Sequence, residues 1–589
     1  MKDQWDSRAA VIVGLASSFV VSVYLVQALR PALLTDADPG WALPRLLLWL
    51  FLIAATATAG GAAGALFLLW SRSRLAAPVL RRFPASPQTT TSIAVAALAV
   101  GVFLRVAFLG RLPIPFTNDE VNLITPALEL TGTLRDFANS IRGIPYGVPD
   151  PHEMMGVAYL YLLRASLGVF GPTVVGLHAV STLGGVLSLF TAAALGRALL
   201  PRGGAALTCL VLAGLRWHLI LSLRGWHAIV LTALADVAAL SVLLARRRGW
   251  ILAAFAGGIV TGIGAHLYFS AWIIAAALAL FLLWPGQTRS NRRTRLAFAF
   301  GVGVLAAASP LFLLREGRQH PLFERVTYQN VLVEMRYRRS SMPLFVAIAE
   351  PLAAPWLVGD PEALNDLPHR SRLGWIVGLP FAVALARSLL FPRQELSALL
   401  LAHGLAAFAA AVVSGEARNP HGTRYAYLTT LTAVAAAAGI LQLLTAVRSS
   451  RRRASAAAAV GLLSISGTLA ARDALGVWPC HRATFEGYAG QNTLRGLAAA
   501  RWEQYGRVSE EERLGYDETT VETVRRYRLD PFGSLPRSAP RPRRGTGGRR
   551  FRIVPPGTAP GAGERVVERV KDAWGREWGL VLGRRSSRP

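Results

Sequence analysis

Runs of about 18 or more apolar residues recur from residue 9 to residue 471, and short arginine clusters separate them. A run of that length crosses the hydrocarbon of a bilayer as a helix, which satisfies its own backbone polar groups there. Hydrophobic residues make up 53% of the chain and charged residues 16%, with a mean hydropathy of +0.39. A soluble protein is nearer a quarter charged, so the chain reads as an all-α polytopic membrane protein.

Spans are expected near 9–29, 43–70, 92–109, 173–196, 204–222, 226–245, 250–268, 269–284, 296–314, 373–391, 395–414, 425–447 and 455–471, about thirteen crossings. The run from Ala9 to Leu29 is too long for a signal peptide and lacks a small-residue cleavage site, so it reads as a first anchor. Arginine placement tests the count, because basic loops stay on the cytoplasmic side. The clusters at Arg72 to Arg82, Arg197 and Arg202, Arg246 to Arg248, Arg289 to Arg295, Arg393, and Arg448 to Arg453 fall on one face if the N-terminus is cytoplasmic. This works only when 250–284 is two helices; one long helix would put Arg292 and Arg293 outside. The other face receives the loops 110–172 and 315–372, the turn from Glu416 to Arg424, and the tail. The half-apolar stretches 154–170 and 343–358 within the two long loops read as interfacial helices.

Three regions follow. Residues 1–91 carry two extra N-terminal spans, 92–471 the transmembrane module, and 472–589 a basic, extracytoplasmic C-terminal region. Within the last, the Pro/Arg/Gly-rich stretch from Pro536 to Gly548 reads as a linker, and Arg549 to Leu582 as a small β-rich or mixed unit. The net charge of +29 comes almost wholly from arginine, since Lys2 and Lys571 are the only lysines. Its division into short clusters between spans argues against nucleic-acid binding, which gathers basic residues on one soluble face. Of the two cysteines, Cys209 lies in an apolar span and Cys480 in the tail, which argues against a disulfide framework and excludes a cysteine metal site.

The adjacent acids Asp119 and Glu120 stand at the start of the first long outer loop. One carboxylate there would serve as general base on an acceptor hydroxyl while its neighbour orients the acceptor or binds a divalent cation. The plainer alternative is a helix start near Val121 capped by Asn118 or Asp119. Arg224, His227, Arg418, His421 and Arg424 fall at the outer ends of spans, where cations would hold a lipid phosphate or simply anchor helix ends. The arginines of 315–339 make the second outer loop basic, which suits anionic lipid. His266, with Glu153 or His152, is a candidate divalent-metal site, a hydrogen-bonded buried histidine being the alternative. Asp236 lies inside a span and would face the bundle interior or pair with Arg216 or His218.

With these residues in view, the sequence resembles the GT-C superfamily of membrane glycosyltransferases, particularly the protein O-mannosyltransferase and aminoarabinose-transferase-like group. Thr117-Asn118-Asp119-Glu120 resembles the family's acidic pair in type and position, and Pro149 to Tyr161 its Pro-rich segment before an interfacial helix. Val169-Phe170-Gly171 through Gly196-Arg197, the turn Gly262 to Ser270, and Arg424-Tyr425-Ala426-Tyr427 resemble its later spans. The likeness covers roughly 92–447. It implies a sugar transferred from a polyisoprenyl-phosphate donor to a glycolipid, polysaccharide or protein acceptor, on the outer side of a bacterial-type inner membrane. Three departures stand out: two spans precede the acidic loop, Gly225-Trp226-His227 follows Arg224 where an Asp is expected, and His152-Glu153 replaces Pro-Leu. No Gly-rich phosphate loop or paired-aspartate nucleotide signature is present. A multi-pass flippase or transporter is the competing reading, and an inert scaffold a third.

Overall fold

The computed structural model describes residues 80, 82–112, 114–117, 120, 121, 123–129, 157–285, 290–313, 331–341, 343, 344, 347, 348, 355, 356, 366–368, 370–414, 424–488, 490–509, 518–533, 535 and 550–584. The first two expected spans, and most of the stretch 343–358, lie outside them.

The transmembrane module runs α1 Pro87–Val106, α2 Ile124–Glu129, α3 Val157–Phe170, α4 Val174–Leu199, α5 Gly204–Ala213, α6 Arg216–Leu223 and α7 Ala228–Arg248. It continues as α8 Ile251–Ala265, α9 Ala271–Leu283, α10 Ser290–Leu313, α11 Val331–Arg338, α12 Gly374–Leu390, α13 Glu395–Ser414, α14 Leu428–Ala446 and α15 Arg452–Arg472. The starts follow from local chemistry. Ser86 caps α1 by accepting from Thr89 N, with Pro87 in the first turn, and Thr173 caps α4 by accepting from Gly176 N. Gly249, in the left-handed region at φ 72°, ends α7 after Arg246 to Arg248.

Among the described residues five helices are long and apolar enough to cross a membrane, or seven if each of two bent pairs is one span, and three shorter apolar helices accompany them. The stretch 250–284 is two helices, as the arginine alternation requires. Arg246 donates to Phe281 O, and at 3.1 Å to Trp284 O, so the end of α9 returns to the end of α7. The turns sort into two ends. Arg247 meets Ala198 O and Glu395, Trp284 meets Pro392 O, and Phe83 N meets Arg202 O at the arginine-rich end. Glu120 meets Gly225, Ser270 meets Arg424 O, and Arg216 meets Asp366 at the other. Helix α14 is central, with 89% of its apolar window buried, against 11% for the window holding α15.

One span differs from expectation. The expected single span 204–222 is broken between α5 and α6 by 59°. Gly214 sits at the break against α15, where a Cβ would lie 2.4 Å from Gly467 Cα. Every residue of α6, including Arg216, His218 and Ser222, is buried by neighbouring chain, so this polar helix is kept out of lipid. Helices α12 and α13 meet at 102° beside Arg393.

Asp236 pairs with neither Arg216 nor His218. It accepts from Thr191 Oγ1 at 2.7 Å and from Thr430 Oγ1 at 2.6 Å, which satisfies a buried carboxylate without a cation. Arg216 instead takes Asp366 by two bonds of 2.6 and 3.2 Å, with Asp473 at 3.7 Å. His218 lies between Arg105 Nη2 at 2.7 Å and Ser188 Oγ at 2.6 Å. Arg105 also donates to Leu212 O at 3.3 Å, one of the carbonyls released where α5 breaks.

The C-terminal region holds α16 Arg482–Gly487, α17 Gly490–Trp502, α18 Glu518–Tyr527 and four strands, β1 Arg507–Ser509, β2 Arg550–Val554, β3 Glu564–Lys571 and β4 Glu577–Arg584. The sheet order is β1-β2-β4-β3, with β1 and β2 parallel and the other pairs antiparallel. Ala498 and Ala499 of α17 pack on Phe551, Ile553 and Val581; small residues let the helix approach the sheet closely.

Candidate functional site

The site begins with four residues. Thr117 Oγ1 accepts from Glu120 N at 3.1 Å, and the Glu120 carboxylate accepts in return from Thr117 N at 2.8 Å and Thr117 Oγ1 at 3.0 Å. This is the reciprocal arrangement of a capping box, a Ser or Thr followed three residues later by Glu. Thr117 thus supplies a cap; Asn118 and Asp119 lie outside the described residues. The second carboxylate oxygen accepts from Gly225 N at 2.8 Å, and His178 Nε2 stands 3.8 Å from it. Glu120 is 1% exposed and takes three hydrogen bonds. It is a fixed anchor between the loop after α1 and the segment after α6.

Arg224 immediately precedes Gly225. Its backbone is extended at the end of α6, and its side chain is buried. The guanidinium carbon lies 5.2 Å from the Tyr488 ring centroid and 5.8 Å from that of Trp226. Both lie within the range at which a ring face attracts a cation. Burial pushes the Tyr488 phenol well above its ordinary range, so at neutral pH it contributes a ring and an uncharged hydroxyl.

Five expected site residues lie outside the described residues: Asp119, His152, Glu153, Arg418 and His421. Of the others, the structure brings Glu120 and Arg224 together. Arg424 is at the same end of the bundle: its carbonyl accepts from Ser270 Oγ at 2.7 Å, and the following Tyr425 shares an apolar cluster with Trp226. His227 is enclosed by the rings of Tyr159, Trp226 and Tyr268 at 5.5, 4.3 and 4.5 Å and is 1% exposed. The three rings form an aromatic box around it. His266 ends α8 with Nε2 2.9 Å from Ala307 O. A carbonyl partner requires the hydrogen on Nε2, which leaves only Nδ1 to ligate a metal. Among the described residues no three His, Cys, Asp or Glu side chains gather.

Two contributors, His178 and Tyr488, are not singled out by the sequence, and Thr117 is noted there only beside the acidic pair, not as its cap. The Thr-x-x-Glu spacing was a readable signal for Thr117. His178 is a lone polar residue in the first turns of α4, and nothing local marks it as facing Glu120.

The chain matches no protein-family model and no curated protein. Among solved structures it is similar to ArnT from Cupriavidus metallidurans in the apo state, at TM-score 0.48 and 14% identity, over 85% of this chain and 99% of that one. ArnT bound to undecaprenyl phosphate gives TM-score 0.47 and 12% identity over the same shares. The archaeal oligosaccharyltransferase AglB from Archaeoglobus fulgidus, in complex with an inhibitory peptide and a dolichol-phosphate, gives 0.44 and 15% over 77% of this chain and 61% of AglB. These neighbours are GT-C membrane glycosyltransferases. At such identities no residue role passes from them to this chain.

Proposed function

We propose that this chain is a membrane glycosyltransferase that moves a sugar from a polyisoprenyl-phosphate carrier to an acceptor hydroxyl. One observation carries the reading: Gly225 N donates to Glu120 at 2.8 Å, which joins the turn of the acidic pair to the segment of the ring-stacked Arg224. A base and a cation for a departing phosphate are the two things this reaction needs on one site.

Since Glu120 is committed to holding the turn, the base is Asp119. Its carboxylate takes the proton of the acceptor hydroxyl, whose oxygen forms a bond to the anomeric carbon. The bond from that carbon to the phosphate oxygen breaks, and the carrier phosphate leaves with the electron pair. Arg224 and Arg424 offset the charge that develops on it, with Arg418 and His421 as further cations. Attack opposite the leaving group inverts the anomeric centre. The arginine-rich turns at the far end of the bundle support an outward-facing site in a bacterial-type inner membrane, with a cytoplasmic N-terminus. A divalent ion, should the enzyme use one, would draw on His152, Glu153 and His266 Nδ1, and no step above depends on it.

The test is Asp119→Asn, assayed with radiolabelled polyprenyl-phosphate sugars and candidate acceptors. Transfer should fall by about 10²–10⁴-fold while carrier binding persists. Transfer at the wild-type rate would remove the base and the mechanism with it. A flippase would be indifferent to the change.

A further inference from the structure

The C-terminal region reaches into the site. Phe116, just before the capping Thr117, is held by α17: its N–H donates to Thr493 Oγ1 at 3.4 Å, the long end of the range. Leu497 of α17 and Val524 of α18 pack with Phe116, Val121 and Ile124 in one apolar cluster. Tyr488, between α16 and α17, is fully buried against Leu219, Ile220 and Leu223 of α6, with its ring edge-on to Trp478 at 5.8 Å. Its face lies 5.2 Å from Arg224 Cζ. The same region of chain therefore covers both segments that Glu120 joins.

We propose that the C-terminal region is a wall of the reaction site, and that Tyr488 is a positioning residue that sets the plane of the Arg224 guanidinium for an oxyanion. This rests on the reading above, in which Arg224 meets the carrier phosphate. The donors of a guanidinium lie in its plane, and two-point recognition of a phosphate needs that plane correctly oriented. Two rings within 6 Å of the guanidinium carbon restrict how far it can shift and tilt. Trp226 comes from the same short segment as Arg224 and moves with it. Tyr488 comes from a different part of the chain, so it ties the cation to a separate support. The interaction is with the ring, so the hydroxyl is dispensable for it.

The experiment uses the full chain in detergent, titrated with a polyisoprenyl phosphate that carries no sugar. Tyr488→Phe should bind within about twofold of wild type. Tyr488→Met fills the space without a ring face and should weaken binding by roughly 5–30-fold, the size of a desolvated cation–ring contact. In the Arg224→Ala background the methionine change should add nothing, whereas a merely structural Tyr488 would cost the same in both backgrounds. Phenylalanine analogues of rising fluorination at position 488 keep the shape and drain the ring face, so they serve even if the methionine variant does not fold. Binding should weaken stepwise along that series. Unchanged binding along it, or an equal loss in both backgrounds, overturns the positioning role and leaves the glycosyltransferase reading intact. Arg224→Ala binding as wild type overturns it as well, with the carrier still accepted. A wild-type chain that does not bind the lipid phosphate at all sinks both.

Discussion

Arginine does different work at the two ends of this bundle. At the arginine-rich end, Arg246, Arg293 and Arg452 donate to carbonyls at helix ends, and Arg247 reaches Glu395 with 42% of its side chain exposed. Such contacts satisfy the carbonyls that every helix leaves open, and cations there also complement the helix dipole. At the opposite end Arg216 is paired with the buried carboxylate of Asp366 and Arg224 lies beside two rings; burial alone does not mark that end, since Arg246 is buried too, its Cζ 4.6 Å from the Phe281 ring centroid. Removing a cation from water is costly, and a chain that does so must hold it in place. What separates the ends is the ion pairing: the carboxylate facing Arg216 is buried, whereas the one facing Arg247 is a third exposed.

The sharpest way to break that contrast is Glu120→Ala. Three buried donors, two from Thr117 and one from Gly225, would lose their acceptor, destabilising the fold by about 3 kcal/mol. The melting temperature in detergent should drop, and transfer should fall at least tenfold more than stability explains; a melting temperature unchanged from wild type would refute the anchoring role. Next comes Asp366→Asn, which removes the buried charge paired with Arg216 and leaves it the Asp473 contact at 3.7 Å and the bond to Ser371 O at 2.7 Å. A loss of about 2 kcal/mol is expected, smaller than for an isolated pair because Asn still accepts. At the other end Arg247→Ala should change stability by under about 1 kcal/mol, since its partner is half-exposed and screened, and transfer should be unaffected. A large drop in transfer there would erase the distinction between the ends.

The smallest effect concerns acid. The Arg576 hydrogen bond lowers the Glu486 carboxyl below its ordinary 4.5, and the Arg552 hydrogen bond does the same for Glu564. A carboxylate with a depressed folded-state pKa stabilises fully above its unfolded value and loses that contribution as pH falls through the folded one. Hydrogen-exchange protection of β3 and β4, corrected for intrinsic rates, should therefore be level from pH 7 to about 5 and decline below about 4.5.

The membrane helices were legible because each is a long apolar run bracketed by arginine or a cap. The break at Gly214 was not, since its cause is Gly467, a glycine in a distant span. Thr191 and Thr430 satisfy Asp236, and a search for opposite charge passes over hydroxyls. Of the site, Glu120 and Arg224 were visible as charges out of place. Their junction was hidden, because the hydrogen bond from Gly225 spans 105 residues, and the one from Phe116 to Thr493 spans 377. Chemistry that depends on chain-distant neighbours leaves no periodic trace.

The donor at position 225 belongs to the main chain, and this limits how the protein can be altered. No exchange of side chain deletes an amide hydrogen; only proline does. Other residues are resisted for a different reason, because a Cβ there would lie 3.0 Å from Leu177 Cγ and 3.2 Å from Leu177 O. Mutational drift can thus change the surrounding side chains with some freedom, while the clasp between the loop after α1 and the segment after α6 resists gradual change.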